Sequence, residues 1–227
     1  GETMDRNRFR IREDQGDREW FGGRQQWLQP PWGRAGGCAT VVAAHQLMAL
    51  GDLAGTPVPE SPWTRREFAG YLNRLIRQVY PFYFFRHLSL TLGIFSLMRY
   101  ARLLDRAAGM QGFRIRPVWI RRKGCFRNSR GRVSIGEVEE YISQALRYGC
   151  PPALLLGFNR RMARVPLGGR TWNLQRHWVT VTDLRKEEGR TRLEVSSWGY
   201  RFDLDLEDCW RGLLPGVLSF RLAGEDS

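Results

Sequence analysis

Apolar residues at helical spacing predict four helices in the first two-thirds of the chain. Two of them begin with capping boxes, one formed by Thr64 with Glu67 and the other by Ser134 with Glu137. The predicted ranges are 38–51, 64–79, 90–108 and 134–148, and a short fifth helix covers 207–212. Gly149 directly follows the fourth helix, as expected where a helix ends in a left-handed residue.

Alternating or continuous apolar runs predict strands, most of them in the last third of the chain. Their ranges are 113–120, 151–157, 177–184, 192–198, 200–206 and 217–222. Gly189 lies between the third and fourth of these strands, which indicates a hairpin. Helices that precede an antiparallel sheet indicate an α+β fold.

The N-terminal segment has a different composition from the rest of the chain. Residues 1–18 are mostly charged and show no apolar period, so they are predicted to form a mobile arm. The remainder, 19–227, is predicted to be a single domain with Trp20 among its first apolar anchors. Segment 29–32 is predicted to be extended, because Pro30 and Pro31 disfavour helix in themselves and in the residues before them.

Composition limits the classes of protein that this chain can belong to. The chain has 227 residues, of which 42% are hydrophobic, enough for a sizeable core. No apolar run reaches the roughly 18 residues of a membrane-spanning helix, so no transmembrane segment is expected. The formal net charge is +13, which is compatible with binding to nucleic acid or an anionic membrane. The arginines are scattered rather than clustered on one predicted face, which disfavours nucleic acid as a partner.

Four cysteines in a chain of this length do not indicate a disulfide framework. Reduced thiols are expected, and a bridge among Cys125, Cys150 and Cys209 stays open. The sequence shows no signal peptide, which favours the cytoplasm. Gly1 is not a natural first residue, so removal of a leader and export stay open as well. The oligomeric state is not indicated by the sequence.

The remaining cysteine, Cys38, lies between a glycine-rich turn and the first predicted helix. At a helix N-terminus, the unpaired backbone N–H groups and the helix dipole favour a thiolate. The pKa of this thiol is therefore predicted to lie well below the roughly 8.5 of a free cysteine. Because the thiolate is the nucleophilic form, Cys38 is the candidate nucleophile. The alternative is a small core cysteine that follows an ordinary glycine turn.

A reactive thiol needs an imidazole within hydrogen-bond reach, and the imidazole needs a third group to fix its ring. Of the three histidines, His45 falls inside the first predicted helix and His87 follows an aromatic loop, whereas His177 opens a strand. Position 177 comes 139 positions after position 38, within the window in which papain-type cysteine peptidases carry their base. His177 is therefore the candidate base.

Three motifs together resemble the papain-like cysteine peptidases, in particular the divergent bacterial members related to bacteriocin-leader peptidases. Gly37-Cys38-Ala39-Thr40 with its following helix is similar to the nucleophile helix of that family. The helix and strand around 149–156, followed by the strand at His177, match the order of elements in the bacterial relatives. The motif Ser196-Ser197-Trp198-Gly199 is similar to the Asn-Ser-Trp-Gly motif of papain.

The resemblance implies a papain-like fold and a role for each matching residue. Cys38 is the nucleophile and His177 the base, while Ser196 occupies the position of the asparagine that orients the base. Trp198 matches the indole that shields that hydrogen bond from water. An oxyanion-hole glutamine is expected shortly before the cysteine, where Gln25, Gln26 and Gln29 are present and Gln29 is favoured. The backbone N–H of Cys38 is the other expected donor.

The function expected from these motifs is that of a thiol hydrolase that cleaves a peptide or isopeptide bond through an acyl-enzyme on Cys38. No metal or other cofactor is implied, and the expected partner is a peptide or protein substrate. Two alternatives stay open. One is an inactive papain-like binding module, since a serine stands at the position of the orienting asparagine. The other is a basic interaction protein for nucleic acid or an anionic membrane.

Overall fold

A computed structural model of the chain describes residues 4–56, 63–84, 96–121, 133–157, 165–211 and 216–224. Within these ranges the helices are α1 (Pro31–Gly36), α2 (Cys38–Leu53), α3 (Arg65–Phe84), α4 (Leu97–Met110), α5 (Ile135–Tyr148) and α6 (Leu206–Trp210). The early strands are β1 (Arg10–Arg12), β2 (Glu19–Phe21), β3 (Trp63–Thr64), β4 (Ile115–Arg121) and β5 (Ala153–Leu156). The later strands are β6 (Val165–Leu167), β7 (Arg170–Trp172), β8 (His177–Glu187), β9 (Arg190–Ser197), β10 (Tyr200–Asp205) and β11 (Gly216–Leu222).

Six of these strands form the central sheet in the order β10-β9-β8-β5-β11-β4, and every neighbouring pair is antiparallel. Because side chains alternate along a strand, β8 has two different faces. Trp178 packs with residues of α2 and α4, whereas Val179 and Val181 pack with residues of α5. The sheet therefore has helices on both faces, and the predicted α+β class with an antiparallel sheet is confirmed.

Helix α2 is buried on nearly every side, which explains why its sequence is apolar without a polar stripe. One exception at its centre is Gln46, whose polar atoms all have partners. Its amide nitrogen donates to the carbonyls of Pro151 (2.8 Å) and Leu218 (3.0 Å), and its oxygen accepts from the Tyr100 hydroxyl (2.8 Å). These hydrogen bonds compensate the burial of a polar group and fix α2 against the sheet.

The N-terminal segment is packed against the fold, unlike the predicted mobile arm. Strand β1 pairs antiparallel with β2 and parallel with β3. The side chains of Phe9 and Ile11 are buried, the latter only 2% exposed. The prediction for 1–18 is therefore corrected for residues 4–18. Its basis was a high charge content, but strand pairing and the three buried side chains of Met4, Phe9 and Ile11 anchor so short a segment.

Segment 29–32 is extended at Pro30, as predicted, but Pro31 and Trp32 lie in α1 instead. Pro31 begins α1, and its fixed backbone φ suits the first position of a helix, where no N–H partner is needed. By contrast, both capping boxes are present as predicted. Thr64 and Glu67 exchange hydrogen bonds at the start of α3, and Ser134 and Glu137 do so at the start of α5.

The predicted start of the third helix, near Leu90, lies outside the described residues. The corresponding described helix, α4, begins at Leu97, and Ser96 caps its N-terminus. His87 and Cys125 also lie outside the described residues. The short hairpin of β6 and β7 and the helix α1 were not predicted.

Candidate active site

Cys38 begins α2 directly after Gly37, the cap residue between the end of α1 and the start of α2. A side chain at position 37 would collide with the carbonyl oxygen of Gly33 and with a Leu28 methyl carbon, each 2.3 Å from an added Cβ. Glycine is therefore required for the close approach that presents Cys38 at the corner between the two helices.

Three backbone N–H groups point to the thiol of Cys38. They belong to Cys38 itself, to Ala39 and to Trp178, the second residue of β8. All three would stabilise a negative charge on the sulfur. Burial nevertheless has the larger effect and raises the pKa of the Cys38 thiol above its ordinary value. The depression of this pKa that was predicted from the helix position and His177 is therefore wrong for the resting structure, because the backbone hydrogen bonds do not offset the loss of solvent around the sulfur.

His177 is the first residue of β8, and its side chain is 6% exposed. Its Nε2 forms a 2.6 Å hydrogen bond with the hydroxyl of Ser197. The indole of Trp198 lies flat against the imidazole, with ring centroids 4.1 Å apart and an angle of 17° between the planes. Among the described residues, none forms a hydrogen bond with Nδ1. Burial lowers the pKa of His177 to about 3 and favours the neutral ring.

The structure brings Cys38 and His177 to the same end of β8. The sulfur receives the backbone N–H of Trp178, the residue that directly follows His177. Within the described part of the chain, the thiol and the imidazole are not hydrogen-bonded to each other. In the resting structure both the thiol and the imidazole favour their neutral forms, and the Nδ1 of His177 has no hydrogen-bond partner among the described residues.

The serine that contacts His177 is Ser197, and not Ser196 as predicted. Ser196 lies opposite Thr180 in the sheet and donates its hydroxyl to the carbonyl of Phe21 (2.7 Å). The reason is the alternation of β9, in which Val195 and Ser197 share the face of Val179 and His177. The sequence shows that residues alternate along β9, but which of the two serines shares the face of His177 depends on the register between β9 and β8.

Trp198 occupies an unusual backbone conformation at the turn between β9 and β10. Its φ is +50° and that of Gly199 is +77°, so both central residues of this two-residue turn are left-handed. This is the pattern of a type I′ turn, which normally avoids bulky residues in its first position. A left-handed tryptophan costs on the order of 1–2 kcal/mol, and the strain is offset by packing. The turn places the predicted shielding indole directly over the imidazole.

Trp172 extends this stack and was not identified from the sequence. Its ring lies 5.2 Å from that of Trp198 at an angle of 25°, and the guanidinium of Arg170 lies 5.3 Å from its ring centroid. Trp172 belongs to β7, which is too short to give a periodic signal. The imidazole is thus backed by two indoles, which restrict the motion of its ring and exclude water from the Nε2 hydrogen bond.

Gln29, the favoured oxyanion donor, is exposed and faces α3, and the described structure shows no contact between it and Cys38. Its backbone N–H donates to the Oδ1 of Asn73 at 2.7 Å. The side chain of Gln25 lies against the C-terminal end of α1, where its amide nitrogen already donates to the carbonyls of Arg34 and Ala35. The backbone N–H of Cys38 therefore remains the best-placed donor of those predicted.

The competing histidine, His45, has both ring nitrogens engaged. Nδ1 lies 2.7 Å from the hydroxyl of Thr180, and Nε2 accepts the backbone N–H of Gly23 at 3.1 Å. Since Nε2 accepts, the ring is neutral with its proton on Nδ1. Burial lowers the pKa of His45 to about 3. His45 therefore joins the N-terminal segment to the sheet and is not available as a base.

The other described cysteines lie in the core. Cys150 and Cys209 are free thiols, and burial raises the pKa of Cys150 to about 11 and that of Cys209 further still. Across the described ranges, no group of three or more His, Cys, Asp and Glu side chains is placed to hold a metal ion. None of the helices in the described part of the chain is both long and apolar enough to cross a bilayer.

Comparisons with protein-family models, with curated proteins and with solved structures find no match for this chain.

Proposed function

We propose that the chain is a thiol hydrolase of papain-like type that cleaves a peptide or isopeptide bond. The observation that carries the proposal is that the start of β8 holds His177 and also provides, from Trp178, a backbone hydrogen bond to the thiol of Cys38. The Nε2 of His177 is held by Ser197, and its Nδ1 has no hydrogen-bond partner among the described residues. In the proposed site, this Nδ1 takes the thiol proton. The nucleophile helix packed on an antiparallel sheet supports the papain-like assignment, as do the motifs at Cys38 and Trp198.

In the proposed reaction, Nδ1 of His177 accepts the thiol proton while the sulfur attacks the substrate carbonyl. The carbonyl π electrons move to oxygen, and the backbone N–H of Cys38 stabilises the resulting oxyanion. As the tetrahedral intermediate collapses, the imidazolium gives its proton to the leaving amine and an acyl-enzyme remains. Water, deprotonated by the same imidazole, then attacks the thioester and releases the carboxylic acid and the thiol.

His177 is buried and Cys38 is partly buried, and this loss of solvent determines how a thiolate–imidazolium pair must form. Burial alone opposes a lone thiolate on Cys38 and a lone imidazolium on His177. Moving the proton from one to the other creates both charges together, and their attraction compensates part of the desolvation cost. The pair is therefore expected to form when the Nδ1···S contact shortens, as catalytic hydrogen bonds often do when substrate binds.

The pH dependence of Cys38 alkylation tests this proposal without knowledge of the substrate. Iodoacetamide labelling of the Cys38 peptide, followed by mass spectrometry, is expected to persist at pH values at which a lone buried thiol is unreactive. The His177→Ala variant should lose this labelling and regain it only at alkaline pH. Identical profiles for the wild type and His177→Ala would refute the proposal.

The second candidate is an inactive binding module with the same fold. The observation that favours it is the absence of a hydrogen bond between Cys38 and His177 in the described structure, together with the preference of both for their neutral forms. The alkylation experiment separates the two candidates, since an inactive module predicts no effect of His177→Ala on the reactivity of Cys38.

A further inference from the structure

A groove of about 530 Å³ runs along α3, on the side that faces the loop at Trp27 and Gln29. Asn73 holds that loop to the helix. Its Oδ1 accepts the backbone N–H of Gln29, and its Nδ2 donates to the carbonyls of Trp27 (3.0 Å) and Ala69 (2.9 Å). The two walls are thus fixed to each other, and the groove is a built feature of the fold.

The groove is strongly basic. Arg66, Arg74 and Arg77 line it, are exposed, and have no acidic partner among the described residues. A fourth arginine, Arg65, pairs with Glu13. Asp14 is the one acidic residue in the described lining, and it accepts the backbone N–H of Arg66 (3.1 Å). The lining therefore carries an excess of positive charge that nothing in the described structure neutralises.

Gly70 lies in the floor of the groove, in the middle of α3. A glycine at such a position costs about 1 kcal/mol relative to alanine. No close packing requires it, because an added Cβ would meet only the guanidinium of Arg74, at 3.7 Å. A glycine that is unfavourable for the helix and unnecessary for its packing leaves room for a ligand to approach the helix backbone.

One wall of the groove continues toward Cys38. Leu28 lies between the two groove residues Trp27 and Gln29, and its side chain packs directly against Gly37, the residue before the thiol. A ligand seated between this loop and α3 would therefore contact the segment that supports the nucleophile.

We propose that this groove binds an extended acidic segment of a peptide or protein partner. Arg66 and Arg74 are eight residues apart on one helix, a rise of about 12 Å. Acidic side chains four residues apart on an extended strand are separated by about 13 Å, so two of them could pair with these arginines together. This inference concerns binding and stands apart from the reaction proposed at Cys38.

The lining favours a peptide over a nucleic acid. The described aromatic residue in the groove, Trp27, is only 9% exposed and offers no platform on which a base could stack. The Asp14 carboxylate can accept a backbone N–H from a peptide, and a phosphodiester backbone offers no such donor.

The test measures binding of a fluorescein-labelled nonapeptide with glutamate at every second position, using the Cys38→Ala chain so that no hydrolysis occurs. The groove variant replaces three arginines, Arg66→Gln, Arg74→Gln and Arg77→Gln. The control variant removes equal charge from exposed arginines elsewhere that also lack a described acidic partner, Arg102→Gln, Arg106→Gln and Arg114→Gln. We expect the groove variant to bind about tenfold more weakly, which is two- to threefold per exposed ion pair, and the control to bind like the wild type. Binding should also weaken as NaCl rises from about 0.05 M to about 0.5 M.

The Gly70→Ala variant gives an independent measurement. It should raise the melting temperature by about 2–4 °C because it removes a helix glycine, and it should weaken peptide binding because it fills the floor. Equal binding by the groove variant and the control variant would overturn the proposal. So would tighter binding of a single-stranded oligonucleotide of equal charge, which would assign the groove to nucleic acid. The binding measurements use the Cys38→Ala chain, so they do not depend on the reactivity of Cys38. The proposed function and this proposal can therefore fail independently of each other.

Discussion

The adjacent residues Ser196 and Ser197 of β9 are predicted to have different roles, one in the stability of the fold and the other in the reactivity of Cys38. Ser197→Ala removes the hydroxyl that holds Nε2 of His177 at 2.6 Å, whereas Ser196→Ala removes the donor to the carbonyl of Phe21 at 2.7 Å. The first change should affect the reactivity of Cys38, and the second should affect the stability of the fold. Each variant serves as the control for the other.

The expected magnitudes follow from these contacts. A neutral hydrogen bond contributes about 0.5–1.5 kcal/mol, so Ser197→Ala should slow alkylation of Cys38 by about 2- to 13-fold. Ser197→Thr keeps the hydroxyl on a strand that tolerates branched residues and should restore most of the rate. Ser196→Ala withdraws a partner from a buried carbonyl and should lower the free energy of unfolding by about 1–3 kcal/mol.

The assay combines two measurements on the same samples. Iodoacetamide labelling of the Cys38 peptide over a range of pH gives the reactivity, and urea unfolding gives the stability. Slower labelling in Ser196→Ala with unchanged stability, together with normal labelling in Ser197→Ala, would refute the assignment of Ser197 as the residue that orients His177.

Three further predictions concern the thiols, the histidines and the turn before α2. Cys38 should be alkylated well before Cys150 at neutral pH, as mass spectrometry of the two peptides would show, because Cys150 is fully buried and has a pKa of about 11. Stability should fall as pH decreases from about 6.5 to about 3. The unfolded chain binds protons on His45 and His177 in this range while the folded chain does not, a loss of at most about 1.4 kcal/mol per pH unit for each ring. Urea unfolding at several pH values checks this, and an unchanged midpoint would contradict the buried neutral state. Gly37→Ala should destabilise the fold by several kcal/mol, measured as a lower urea midpoint, because its Cβ would overlap backbone at 2.3 Å.

The elements that were predicted well are those with strong local signals. Both ends of α5 were marked in the sequence, by the box of Ser134 and Glu137 and by Gly149, whose φ is +98°. The β8–β9 hairpin was predicted from Gly189, and its turn is found there. In these cases the interactions that fix the element lie within a few residues of each other.

The predictions that failed depend on contacts between distant segments. Phe9 and Ile11 are too few to give a periodic pattern, yet the core behind β2 and β3 buries them. The pKa of Cys38 depends on how deeply α2 is buried, which the sequence around the thiol does not express. The choice between Ser196 and Ser197 required the phase of β9 relative to β8, which only the pairing of the two strands determines.

The contact between Ser196 and Phe21 joins residues that are 175 positions apart. Such a contact forms only after β9 has been synthesised, and contacts of this separation slow folding. During synthesis, the segment at Phe21 and the thiol of Cys38 leave the ribosome long before the strands that cover them. We therefore expect the cysteine of the nascent chain to react like an ordinary thiol until β8 and β9 have been synthesised and have paired, because only then can the proposed site be assembled.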